Sequence, residues 1–296
     1  MTLVLEMALE VQKHLQAVKA IKGVPRQQRQ MEARLNSQLQ GLFADVQDEV
    51  VRELQRIGKV PSDDSTRRRV VRAIEEAMDR VMGILGEGAE EAGQYGRDRV
   101  INDLRQAGIS IGSGLEKMPD RTLEILKEHV FEASQRTMDR IKGDVMGSLI
   151  KSQQDGLGID DAAAQLNDRF ERIKDYELRR IARTEILSSQ NKGSHESMRE
   201  MNVEFEQWIM SDDERVRGNP AGLYPDTLAD HWEMDGEIVR TGEPFSNGLQ
   251  HPGDRNGPIE EWINCRCRVR PFIMPEGKRP PSQTYFYEAD LLKGGK

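Results

Sequence analysis

Between Asp120 and Lys151 the positions Leu123, Leu126, Val130, Ser134, Met138, Ile141, Val145 and Leu149 recur at three- and four-residue steps. That spacing follows the 3.6-residue period and predicts an amphipathic helix over 119–151 whose apolar stripe needs a partner. Asp120, just after Pro119, stands in its cap region, and Gly156 and Gly158 separate it from the next helical run. Prolines and glycines divide the rest of residues 1–202 into further helical runs at roughly 3–22, 26–58, 63–86, 89–107 and 159–202.

From residue 203 the period changes. Short extended pieces are predicted at 203–210, at 237–240 after an Asp235-Gly236 turn, and at 268–273, joined by long loops rich in Gly, Pro, Asn and Asp. Proline is rare before this region (Pro25, Pro61, Pro119) and frequent from Pro220 on. All three tryptophans, Trp208, Trp232 and Trp262, lie here, whereas residues 1–150 hold only Phe43, Tyr95 and Phe131 as aromatics. The expected fold is therefore mainly α with a small α+β C-terminal domain. Residues 1–155 would form a long amphipathic helical arm or N-terminal domain, and 156–274 a compact module of helices and short strands. Residues 275–296 would be an extended tail whose Tyr285-Phe286-Tyr287 cluster either docks on another partner or packs on its own domain.

Composition sharpens this outline. Charged residues make up 32% of the 296 and hydrophobic ones 36%, thin apolar material for one globule and better suited to long exposed helices. No stretch approaches the ~18 apolar residues of a membrane span, and the first segment carries glutamates where a signal peptide is apolar. The chain thus reads as cytoplasmic with no membrane anchor. The formal charge of −8 argues against broad duplex binding. Local basic patches at Arg67-Arg68-Arg69, Arg179-Arg180 and 266–270 leave limited nucleic-acid contact open, beside the simpler reading of solvated or ion-paired faces.

Several residues could carry chemistry. Leu178, Ile181 and Glu185 share a helix face, which puts a carboxylate among apolar neighbours and calls for an arginine such as Arg183, Arg215 or Arg266. The two cysteines, Cys265 and Cys267, form a C-x-C pair rather than a disulfide framework. At the start of a strand both thiols would face one way and Arg266 the other. With His231 and His251 they supply four donors, the count of a closed tetrahedral zinc site, although plain core packing also accounts for two small thiols. His231, Asp235, His251 and Asp254 form a polar set from which a metal-dependent enzyme could be built, but each sits in a Gly- or Pro-containing loop where such side chains commonly satisfy backbone groups. Ser211-Asp212-Asp213-Glu214-Arg215 reads as a self-capping turn.

Five short motifs succeed one another over 179–273. They are Arg-Ile-Ala-Arg-Thr-Glu (180–185), with Arg183, Thr184 and Glu185; Trp208-x-x-Ser211-x-Asp213-x-Arg215-Val216-Arg217, which includes Asp212; His231-x-x-x-Asp235-Gly236; Pro252-Gly253-Asp254; and Asn264-Cys265-Arg266-Cys267. This ordered set resembles the C-terminal domain of the phage Mu F-like minor head, or head morphogenesis, family, with a looser likeness reaching back to Gly156. The resemblance implies a virion protein of the head interior or portal vertex, made in the host cytoplasm. It would act in prohead assembly through the portal protein, assist DNA packaging or delivery, and have capsid or scaffold protein and phage DNA as further candidate partners. It implies no established catalysis and no cofactor beyond the candidate zinc. The alternative from the residues alone is a metal-dependent nucleic-acid-processing or toxin-like enzyme on the C-terminal domain.

Overall fold

The computed structural model describes residues 23–293, so the helix predicted at 3–22 lies outside the described residues. The described chain divides into two compact units. One is wholly helical and takes residues 30–91 and 123–186; the other takes 23–29, 92–122 and 187–293 and contains the sheet. The boundary expected between residues 155 and 156 falls inside the helical unit, whose core draws on both sides of it.

Helices α1 (Arg26–Ile57), α2 (Asp64–Glu76), α3 (Met78–Gln106), α4 (Asp120–Gln154) and α5 (Ile159–Arg172) are followed by one wider turn, Ile173–Glu177, that runs into α6 (Leu178–Glu200). α2 starts where Asp63 accepts the Thr66 N–H at 2.8 Å, satisfying one of the free donors of a first turn. The predicted stripe of α4 is the buried one: Leu126, Val130, Ser134, Met138, Ile141, Val145 and Leu149 are all inside. Its partners in the helical unit include α2, where Arg67 donates to Gln153 at 3.1 Å, and α5, where the Ser152 hydroxyl donates to Gln165 at 2.6 Å. α1 buries Leu35, Leu39, Phe43, Val46, Val50 and Leu54 at the same steps, and Gln47 donates to Asn167 of α5 at 2.8 Å. Each such aliphatic side chain contributes about 1.5–3 kcal/mol by leaving water.

One predicted break is misplaced. The helix boundary expected at 86–89 is absent; the chain interrupts at Ala77 instead and then stays helical from Met78 to Gln106 through its glycines. Gly88, Gly93 and Gly96 serve packing, whereas Gly83 and Gly86 have open space where a Cβ would go. In the sheet-containing unit a Cβ on Gly96 would lie 2.0 Å from the Gln190 carbonyl oxygen, and one on Gly193 2.2 Å from that of Gly93. The later part of α3 and α6 thus meet backbone to backbone, a contact that outweighs the roughly 1 kcal/mol intrinsic cost of a helical glycine.

Strands β1 (Phe205–Ile209), β2 (Ile238–Arg240), β3 (Arg268–Phe272) and β4 (Tyr285–Phe286) form one antiparallel sheet in the order β3-β1-β2-β4. Trp208 pairs with Val269 and Gln207 with both Arg270 and Ile238. Pro271, which has no N–H to donate, sits on edge strand β3. Alternation along the strands gives the sheet two apolar faces. Trp208, Met210, Val239 and Val269 join Leu187, Met198, Val100 and Leu104 in one cluster; Phe205, Ile238 and Phe272 join Phe286 and Leu291 in the other. The last two come from the expected tail. That segment supplies β4 and a short helix α8 (Glu288–Lys293), and Phe286 packs edge-on to Phe205 and Phe272. A further short helix, α7 (Ile259–Trp262), precedes the cysteines.

Candidate functional site

The loop between β1 and β2 and the segment leading into β3 bring three of the expected donors together. His231 Nδ1 stands 3.5 Å from Cys265 Sγ and 3.6 Å from Cys267 Sγ, and all three ligand atoms lie within 4.8 Å of one another. Alternation produces this: Cys265 and Cys267 face the histidine, while Arg266 between them forms an ion pair with Asp213. Each of the three residues is only 2% exposed.

The imidazole is held from every side. Its Nε2 meets Glu261 Oε2 at 2.9 Å, and the same carboxylate oxygen accepts the Asn247 side-chain N–H at 2.9 Å. Trp208 presents its ring edge-on with centroids 5.2 Å apart. The Cys267 amide N–H points at Cys265 Sγ at 3.4 Å, and Arg217 donates to the carbonyls of Glu261 and Ile263. Burial alone would push the histidine down, but the Cys265 thiolate and the Glu261 carboxylate outweigh it and raise His231 to about 9. Burial likewise opposes ionisation of Cys265, yet the Cys267 thiol and the charge of His231 hold it well below its usual range. Burial and the neighbouring Cys265 push Cys267 well above it. Of the two thiols Cys265 is therefore the more acidic.

His251, the fourth expected donor, is elsewhere. Its Nδ1–H donates to the carbonyl of Pro252 at 3.1 Å and its ring lies 5.5 Å from that of His195. Its loop continues through Gly253, whose φ of +83° a side chain would strain, and the turn closes on α6 rather than toward Cys265. This second buried polar set includes Glu206, which pairs with His195 at 3.0 Å and accepts the Gly242 N–H at 3.2 Å. Burial pushes the Glu206 carboxyl up, against the pull of His195. Burial and the nearby His195 push His251 down to about 3, with Asp254 opposing.

The remaining motif residues are structural in place. Asp235 accepts the Met210 N–H at 3.0 Å, and Gly236, at φ +85°, donates to the Trp208 carbonyl at 2.9 Å. Asp212 and Asn264 both adopt positive φ, and Asp213 accepts the Arg215 N–H at 2.9 Å, the self-capping turn expected there. Pro252 and Gly253 offer carbonyls to Asn191 and Ser188 of α6 at 3.0 and 2.7 Å. In the helical unit Thr184 bonds back to the Arg180 carbonyl at 2.8 Å, Glu185 is buried as its helix face demands, and Arg183 approaches Glu32 at 3.7 Å. Of its candidate arginines, Arg266 is committed to Asp213.

Two further residues organise the site, and one of them, Glu261, escapes a motif reading. Glu261 lies on the four-residue α7 and has no local pattern; its only signal is an acid a few positions before the C-x-C pair. Asn191 donates to both the Pro252 and Cys267 carbonyls at 3.0 Å and accepts the Val269 N–H at 3.2 Å, pinning the P-G-D loop and β3 to α6. A buried asparagine on an otherwise mixed helix face is its signal.

Among the described residues no helix is long and apolar enough to cross a membrane. No curated protein and no solved structure gives a significant match to the chain. Residues 144–270 match the family model described as Phage Mu protein F like protein, a stretch that holds His231, Cys265 and Cys267. Over residues 144–270, rather less than half of its length, the chain is similar to the phage Mu F-like family.

Proposed function

We propose that this protein is a minor head protein of the virion that acts in prohead assembly by associating with the portal protein at the portal vertex or head interior. The observation that carries the reading is the family match over 144–270. It is supported by the chemistry of the C-terminal unit: His195, Glu206, His231, His251, Asp254, Cys265 and Cys267 are all buried and engaged with one another or with backbone. Groups so placed hold a recognition module in shape; they do not meet a substrate. The helical unit offers the long helices suited to groove or helix-face recognition of portal, capsid shell or scaffold. DNA is a weaker partner, because Arg67, Arg69, Arg266 and Arg270 are committed to Asp64, Glu53, Asp213 and Gln207 respectively.

Co-expression of the full chain with the portal protein encoded beside it, followed by mass determination of the purified assembly, tests the proposal. A complex of defined stoichiometry is expected. Chains that elute apart at micromolar concentration, in assembled proheads as well as in solution, would overturn it. Deleting residues 1–150 is the wrong experiment, since it removes most of the helical unit's core.

A further inference from the structure

We infer that His231, Cys265 and Cys267 bind a structural zinc ion, with Glu261 holding the histidine in the liganding orientation. The zinc site stands independently of the portal reading. Its first support is metric. Zinc bonds of about 2.3 Å to sulfur and 2.0–2.1 Å to nitrogen at tetrahedral angles put a sulfur and a nitrogen ligand roughly 3.5 Å apart, and two sulfurs about 3.8 Å apart. The two sulfur–nitrogen distances here are 3.5 and 3.6 Å, and the three donor atoms lie within 4.8 Å of one another. The two sulfur–nitrogen separations match those of a zinc tetrahedron, and the sulfurs are close enough to share one ion.

The surroundings supply what such a site needs. A metal-ligating imidazole characteristically gives its other ring nitrogen to a carboxylate, which fixes the tautomer and the ring plane. Here Nε2 meets Glu261, which Asn247 in turn anchors, leaving Nδ1 for the metal. The Cys267 amide aimed at Cys265 Sγ is a donor that stabilises thiolate sulfur. Charge balance suits the burial. Zn²⁺ with two thiolates and a neutral imidazole carries no net charge, so the deep position is not opposed by the cost of burying an ion. Binding displaces to solvent whatever protons the three donors carry. Two sulfurs and one nitrogen are soft and borderline donors, the set that selects zinc over calcium or magnesium.

Among the described residues no fourth His, Cys, Asp or Glu joins the group, so the three account for three of the four positions of a tetrahedral site. The burial makes the role mechanical. The ion ties the loop between β1 and β2 to the segment before β3, in a unit whose long loops have few ladder bonds of their own.

The test uses the full chain, expressed in zinc-containing medium and purified without a polyhistidine tag or chelator. Elemental analysis is expected to find about one zinc per chain. Cobalt titration of the chelator-stripped protein should give a thiolate-to-cobalt charge-transfer band, and either metal should restore the melting temperature lost on stripping. The Cys265→Ser/Cys267→Ser double variant should lose the metal, while His251→Asn should keep it. Wild type with no zinc and no thiolate–cobalt band would overturn the inference even if the double variant fails to fold. So would a Cys265–Cys267 disulfide in the purified wild type, or loss of metal in His251→Asn.

Discussion

His231 Nε2 and Glu261 Oε2 meet at 2.9 Å, and this bond decides which ring nitrogen faces the sulfurs of Cys265 and Cys267. Without it the ring could flip about its Cβ–Cγ axis, and the geometry of the three donors would be one rotamer among several. The carboxylate is itself fixed by Asn247, so the orientation comes from a chain of side chains spread over the loop after β2 and the helix α7.

Replacing that carboxylate by its amide tests the dependence. Glu261→Gln is expected to weaken zinc affinity by about 10–100-fold while leaving the stoichiometry unchanged, measured by competition with a chromophoric chelator. Equal affinity in the two proteins would show that the carboxylate does not orient the ligand.

Glycines on α3, α4 and α6 should answer alanine in opposite directions. At Gly96 and Gly193 the added methyl meets carbonyl oxygens at 2.0 and 2.2 Å, backbone atoms that move only if the helices separate. Either substitution should destabilise the sheet-containing unit by about 1–3 kcal/mol or more. Gly143, in the middle of α4, has nothing within 4 Å of the new methyl, and Gly143→Ala should stabilise by roughly 0.5–1 kcal/mol. Urea unfolding of the three variants reads the difference in sign.

Acid should weaken the C-terminal unit through His251. Its folded value is about 3 against an ordinary 6.5. Between those values the unfolded chain takes up a proton that the folded one refuses. The stabilisation is therefore complete above about pH 6.5 and falls as the pH drops toward 3, by at most ~1.4 kcal/mol per pH unit. The groups facing the ring are His195 and Lys192, which push its value down, and Asp254, which pulls it up. Glu206, pushed up by burial, acts in the opposite sense at acid pH, so the comparison is with a variant rather than with an absolute curve. His251→Asn keeps a donor for the Pro252 carbonyl and removes the titration. Its stability relative to wild type should improve between pH 7 and pH 5; parallel curves would rule His251 out as the source.

The C-terminal segment should be part of the fold's stability. Phe286 is 2% exposed against Phe205 and Phe272, and Phe286→Ala should cost about 3–5 kcal/mol in the unit that contains the sheet. Tyr285, on the same strand but 43% exposed, should tolerate alanine to within about 0.5 kcal/mol. A small loss at Phe286 would mean that the segment is not an integral strand.

The sequence by itself determined what is local or periodic. The stripe from Leu126 to Leu149, the extended pieces around Trp208, Val239 and Val269, and the shared direction of Cys265 and Cys267 all come from backbone periods of 3.6 and 2. The ordered motifs from Arg183 to Cys267 likewise pointed to the family that 144–270 matches. Only the tertiary structure decided what depends on distant segments meeting. Gly86 and Gly88 looked like a helix break, because a sequence shows the intrinsic cost of glycine but not the Leu35 side chain of α1 that packs 3.1 Å from where a Cβ on Gly88 would lie. His231 and His251 were equivalent as donors until the loops were placed, one beside the sulfurs and the other beside His195. Glu261 carries no motif, and the groups that it and Asn191 satisfy lie as far as 30 and 78 residues away in the chain. Long-range pairing of buried polar groups obeys no local spacing; it is set by which backbones the packed core brings within hydrogen-bond reach.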